Sequence, residues 1–322
     1  MTAPRTARSR ARPRAPARQH DAPLLAILGV AVTVALWAGS SVAIKAVGTT
    51  GLVTAFYRLW IAIPLLWLLA LATPRIRREF DRPWAADCAV GGTLFGLHQI
   101  LYFNALKLTT VTNVNLIGAL QPVLVLLIAG RLFQERVTAQ ALVWSTVALA
   151  GAATVIVGST GAPTRSALGD LLAGVNLFAF TAYFLVSKRI RSRTGPWEYV
   201  TGMTTVAGVV MGAACLVSRQ DLGSPAGWEW AVLAGLAILP GTLGHLLTNW
   251  AHAHVSALVV SLMLLAVPAL AAGLAAVILG EHVTPVQIVG GAVVLGAIAV
   301  VVRSARRAGP AMAESAAATD AP

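Results

Sequence analysis

Apolar residues along this chain arrive in long blocks, not in alternation with polar ones. Predominantly apolar runs near 24–44, 52–72, 84–104, 110–130 and 139–158 are followed by a second set near 168–188, 197–217, 228–249, 256–278 and 285–302. A helix needs roughly 20 such residues to cross the hydrocarbon core of a bilayer. In lipid, only helices and closed barrels satisfy their own backbone, and no strand-like alternation occurs here. The pattern therefore predicts an all-α integral membrane protein with ten transmembrane helices. The expected organisation is an Arg-rich arm over 1–22, five helices over 23–158, five more over 159–302, and a tail over 303–322. Arm and tail are too polar or too Ala- and Pro-rich to bury a core and are expected to be disordered. A signal peptide is the competing reading of the start, but the apolar run from Leu24 to Ile44 is too long for its apolar region.

Composition agrees with a membrane setting: 57% of residues are hydrophobic and 11% charged, far less charge than a soluble surface carries. The excess of 24 Lys and Arg over 12 Asp and Glu raises the question of nucleic acid. Placement argues against that partner, because no basic face is interleaved with aromatics. Instead the charges sort by side. With the N-terminus inside, the arm, the Arg75–Arg82 connection, Arg131 and Arg136, the Lys188–Arg193 cluster and Arg303–Arg307 all fall on the cytoplasmic side. The other side receives only Lys45, Lys107, Arg165 and Arg219. The positive-inside rule then requires an even number of crossings, with both termini cytoplasmic in a multi-pass protein of the cell membrane. Cys88 and Cys215 lack metal-ligand spacing, and no cofactor or metal is expected.

Self-comparison reveals a repeat. Residues 105–138 align without a gap onto 251–284, so that Ala105 meets Ala251, Thr110 meets Ser256, and Pro122 meets Pro268. The same alignment puts Glu135-x-Val137-Thr138 on Glu281-x-Val283-Thr284, and Lys45 ends the first run as Lys188 ends the sixth. Apolar matches would be cheap in such a chain; a shared mid-run proline with a shared Glu-x-Val-Thr at one distance is not. Five crossings per unit make the two five-helix repeats inverted, an arrangement that places solute sites near the midplane between halves.

These residues resemble the EamA-type branch of the drug/metabolite transporter superfamily. The resemblance rests on Trp37-Ala-Gly-Ser40-Ser41 with Lys45, Arg58-x-x-x-Ala62, Ala105 with Thr109 and Thr110, Pro122 and Glu135-Arg-Val-Thr138. Ala251, Ser256, Pro268 and Gly280-Glu-His-Val-Thr284 repeat the pattern, with Gln134 standing in the first copy where the second has Gly280. It covers residues 24–302 and implies a ten-helix carrier with a central cavity, of a kind that often exports amino acids or related metabolites.

Polar groups at membrane depth must face protein or water. Arg58 either faces a cavity and meets an anionic group such as a substrate carboxylate, or snorkels to the outer interface. His98 and His245 occupy nearly equivalent places in the two repeats and are candidates to bind substrate or carry a proton; packing histidines are the alternative. Further candidates for a substrate cavity are Trp37, Ser40, Gln99, Tyr102, Asn113, Asn115, Gln121, Tyr183 and Asn249, with Ser41, Asn176 and Ser261 beside them. Pro122 and Pro268 are hinges or static kinks. Glu135 and Glu281 are expected to act as caps or interface pairs, and no Asp or Glu lies mid-run, which disfavours a carboxylate-driven proton antiporter. The expected function is a secondary transporter that exports a small metabolite or drug-like molecule by alternating access, as a monomer or homodimer. The alternative is a membrane-embedded transferase acting on a lipid or lipid-linked substrate, which would need convergent nucleophile, base or metal ligands.

Overall fold

The structure, a computed structural model, describes residues 22–73, 85–132, 139–158, 165–223, 225–255, 257–297 and 299–300. The expected arm up to residue 21, the tail over 303–322, the Arg75–Arg82 connection, and the Gln134, Glu135, Val137, Thr138 and Ser256 matches of the repeat lie outside them, while Ala22, expected in the arm, begins α1. Every regular element among the described residues is helical. In order these are α1 (Ala22–Ala46), α2 (Gly51–Ala72), α3 (Ala85–Leu108), α4 (Val111–Gly118), α5 (Gln121–Leu132), α6 (Ala139–Gly158), α7 (Ala167–Ile190) and α8 (Pro196–Val217). There follow α9 (Gly227–Leu236), a π-helical segment (Ala237–Gly244), α10 (His245–His252), α11 (Ala257–Met263), α12 (Ala266–Leu279) and α13 (Pro285–Ala297).

Among the described residues, six segments are long and apolar enough to cross a membrane: Leu24–Ala46, Gly51–Ala72, Ala167–Ile190, Pro196–Val217, Gly227–His252 and Val259–Leu279. Apolar side chains such as Leu68, Phe178 and Val277 point outward on them, as a bilayer requires. Trp228 and Trp230 are exposed at the start of α9, where an aromatic belt would sit. The protein is thus a multi-pass helical membrane protein. α3 has the length of a span but more polar residues, and it packs among α2, α7 and α8. Its neighbours cover what lipid could not satisfy.

Helix starts follow from local chemistry. Thr50, Thr110 and Ser166 accept hydrogen bonds from the backbone N–H groups of Val53 (3.3 Å), Asn113 (3.1 Å) and Gly169 (3.0 Å). Glu198 and Glu229 reach back to the N–H groups of Gly195 (3.3 Å) and Ala226 (2.8 Å). At the end of α12, Gly280 adopts the left-handed conformation (φ 65°) that a side chain would resist, and its N–H and that of Glu281 both reach the Ala275 carbonyl. That turn aims Glu281 at α4: its carboxylate accepts from the N–H of Val111 (2.8 Å) and from the Thr112 hydroxyl (3.2 Å). Glu281 is therefore a cap on a distant helix, as one of its two expected roles required.

Three of the expected continuous runs are interrupted. Pro122 has no N–H to bond the Gly118 carbonyl, and the chain turns at Ala119–Leu120 between α4 and α5. Pro268 does the same for Leu264, and the turn falls at Leu264–Leu265 between α11 and α12. The third interruption, around Pro240, was not anticipated: the chain there widens into the π-helical segment. Cys88 and Cys215 are both free and buried.

Candidate functional site

A cavity with about 810 Å³ of empty space, its opening included, lies where α1, α2, α3, α4–α5, α7, the π segment, α10 and α11–α12 meet. Of the expected site residues, Trp37, Ser40, Arg58, His98, Gln99, Tyr102, Asn115, Gln121 and His245 line it. Asn113, Tyr183 and Asn249 stand behind the wall. Asn113 donates to Asp170 (3.0 Å) and accepts from Gln287 (3.2 Å) near the start of α4. The Tyr183 hydroxyl lies 3.2 Å from His245 Nδ1, and Asn249 donates to the His245 carbonyl (2.9 Å), so both support a lining residue without joining it.

Arg58 is the centre of the site. It is only 5% exposed and does not snorkel. Its Nη1 donates to Gln99 Oε1, its Nε donates to the Leu236 carbonyl (3.2 Å), and the guanidinium lies 5.4 Å from the centre of the Phe103 ring. The Leu236 acceptor has a local cause. Pro240, four residues on, has no N–H to offer it, and in the widened i+5 turn of the π segment the carbonyl also comes within reach of a side-chain donor. The Pro240 carbonyl in turn accepts from Trp37 Nε1 (3.3 Å). One proline thus supplies fixed acceptors for two lining residues from the other half of the chain.

Part of the remaining wall is aromatic, and part, from Ile44, Val114, Leu264, Leu265 and Val267, is aliphatic. Trp37 lies 5.1 Å from His245 and 6.0 Å from Phe180, which is itself 4.7 Å from His98, all ring centre to ring centre. His98 Nδ1 pairs with Asn176 Oδ1 (2.7 Å). Tyr102 shares a hydrogen bond with Ser41 (2.7 Å), and the Ser41 hydroxyl also reaches Asn115 (3.4 Å). The sequence reading missed Phe180, Phe103 and Pro240. Phe180 carries a signal in retrospect: it follows Asn176 by one helical turn, on the same face of α7. Pro240 carries one too, as a proline inside an otherwise uninterrupted apolar run.

Fold and cavity together define a helical membrane protein with a polar and aromatic chamber inside it. The profile of the EamA-like transporter family matches residues 24–157 and, a second time, 167–303. The chain belongs to that family, and the match does not favour the transferase alternative. It is 29% identical over 162 residues to Aromatic amino acid exporter YddG of Ancylobacter novellus, covering 49% of this chain and 55% of that protein. It is 28% identical over 210 residues to the uncharacterized transporter sll1164 of Synechocystis sp., covering 62% and 60%. The chain therefore spans little more than half the length of these curated relatives. A solved crystal structure superposes with a TM-score of 0.64 at 23% identity, covering 90% of this chain and 100% of that one, a likeness of fold alone.

Proposed function

We propose that the protein is a secondary carrier that exports a small metabolite, an amino acid or a related compound, across the cell membrane by alternating access. One observation carries this reading: the cavity wall is drawn from both family-matched segments. Trp37, Arg58, His98 and Gln121 come from the first, and Asn176, Phe180, Pro240 and His245 from the second. A chamber at the junction of two similar units can open to either side as the units rock against one another. Its lining, largely apolar and aromatic with a few polar groups from Arg58, Gln99 and Asn115, is of the kind that holds a small molecule.

The same reading includes ten crossings in two inverted repeats, over 23–158 and 159–302, with both termini cytoplasmic. Several contacts support it. Lys45 donates to the Thr109 carbonyl, and Lys188 donates to that of Val255 (2.8 Å), the position the repeat pairs with Thr109. The broken helices at Pro122 and Pro268 are likewise equivalent. Contacts between helix ends sort into two groups. Glu229 to Gly48 (2.6 Å), Glu281 to Val111 and Thr284 to Gly158 (3.1 Å) join ends expected outside. Arg193 with Asp87, and Lys188 with His252, join ends expected inside. Asp87 also raises the pKa of Arg193, by accepting its hydrogen bonds and by its charge.

The name of the Ancylobacter relative makes aromatic amino acids the first compounds to try. Purified protein in liposomes is expected to move one of a panel of amino acids, nucleobases and cationic dyes, with flux that saturates and is stimulated by substrate on the far side. Absence of flux for the whole panel, with turnover of a lipid substrate instead, would overturn the reading.

A further inference from the structure

Among the described residues, the cavity wall contains a cation and no anion. Every carboxylate among the described residues is committed elsewhere, at a helix end or a turn. Asp87 holds Arg193 and Thr194, and Asp170 holds Arg165 (2.7 Å) and Thr109 (2.7 Å). Glu281 caps α4, and Glu229 accepts from Gly48 and Ala226. Glu198 accepts from Gly195, and Asp221 accepts from Gly223 (2.9 Å) in a loop. None of them lines the chamber. Arg58 meets only neutral acceptors, the Gln99 amide oxygen and the Leu236 carbonyl, and its Nη2 has no acceptor among the described residues.

A buried guanidinium without a counter-ion is costly to maintain, and an incoming carboxylate relieves that cost by a charge-assisted hydrogen bond. A zwitterionic amino acid would bring an ammonium group as well. For that group the described residues of the wall offer no carboxylate, only neutral amide, carbonyl and hydroxyl oxygens, imidazole rings and aromatic faces. Resting on the carrier reading above, we infer that the preferred solute is a net anion: an aromatic or otherwise apolar monocarboxylate whose acid group meets Arg58 and whose ring lies among Trp37, Phe180, His98 and His245. The amino group of an amino acid is not read by this site.

A kinetic consequence follows. Loaded, the site is neutral; empty, it carries the Arg58 charge through the membrane field. Return of the empty carrier is then the slow, voltage-sensitive step, and solute on the far side accelerates flux by sparing it.

The test uses three near-isosteres on the full chain in liposomes: 3-phenylpropanoate, phenylalanine and phenethylamine, each as trans-stimulated flux of its labelled form. Flux of 3-phenylpropanoate is expected to exceed that of phenylalanine about tenfold or more at equal low concentration, with phenethylamine not carried. Arg58→Gln is expected to reduce 3-phenylpropanoate flux at least as much and to remove most of its preference over phenylalanine. Equal or greater flux of phenylalanine would overturn the net-anion inference and leave the carrier reading intact. Flux of none of the three, with another class of solute carried, would do the same. Absence of flux for these and for the wider panel would remove both. Should Arg58→Gln not fold, the comparison of the three solutes on the unmodified protein decides the matter alone.

Discussion

Pro240 shows how one residue shapes a site by what it lacks. It has no N–H to offer the Leu236 carbonyl, which Arg58 reaches in the widened turn, and its own carbonyl accepts from Trp37. Pro240→Ala would return a donor that competes for the Leu236 carbonyl, freeing Arg58 to reorient. A hydrogen bond to a charged group contributes about 1.5–3 kcal/mol. Partial loss should therefore raise the half-saturating solute concentration roughly three- to tenfold with little effect on the amount of folded protein, measurable as KM in liposomes. An unchanged KM would mean that the Leu236 carbonyl does not orient Arg58. Arg58 itself was visible in the sequence as a charge in an apolar run, but its direction was not. Whether a long side chain turns to the interface or to the interior depends on acceptors from elsewhere in the chain, here Gln99 and Leu236. For the same reason, the pairing of His98 with Asn176 had no local signature, although both residues stood out as polar groups at membrane depth.

At the scale of elements, apolar runs and prolines did most of the predicting, because lipid removes every alternative to helix. They failed where backbone bonding changed within a run, as in the π segment, since hydropathy carries no information about which carbonyl bonds which N–H. Helix contacts were also hidden. Gly92 of α3 meets α8 so closely that a Cβ there would lie 2.5 Å from Val206 Cβ and 2.7 Å from the Met203 carbonyl. A backbone carbonyl cannot give way, so Gly92→Leu must push α3 off α8 and disturb the His98 and Gln99 face of the same helix. The expected loss is about 1–3 kcal/mol or more, read as a lower unfolding temperature in detergent. Gly174→Ala on α7, where a Cβ meets nothing within 4 Å, is expected to be silent. Similar behaviour of the two variants would show that the close approach of α3 and α8 is not required.

For the whole molecule, the decisive property is the direction in which each half inserts. Lys45 and Lys188 end the first helix of each copy and make equivalent contacts, yet the proposed inverted duplication would put them on opposite faces of the membrane. Had the repeats been parallel, the Arg-rich cluster after α7 would share a side with the end of α1, against the charge bias. The next residues in each copy, Ala46 and Arg189, are both exposed, and the native thiols, Cys88 and Cys215, are buried. Ala46→Cys and Arg189→Cys are thus clean reporters. A maleimide that cannot cross membranes is expected to label Ala46→Cys on intact cells, and Arg189→Cys only after the membrane is opened. Labelling of both from the same side would leave a duplicated chain without the two-fold relation that alternating access uses. The cavity would then need another route to its second face.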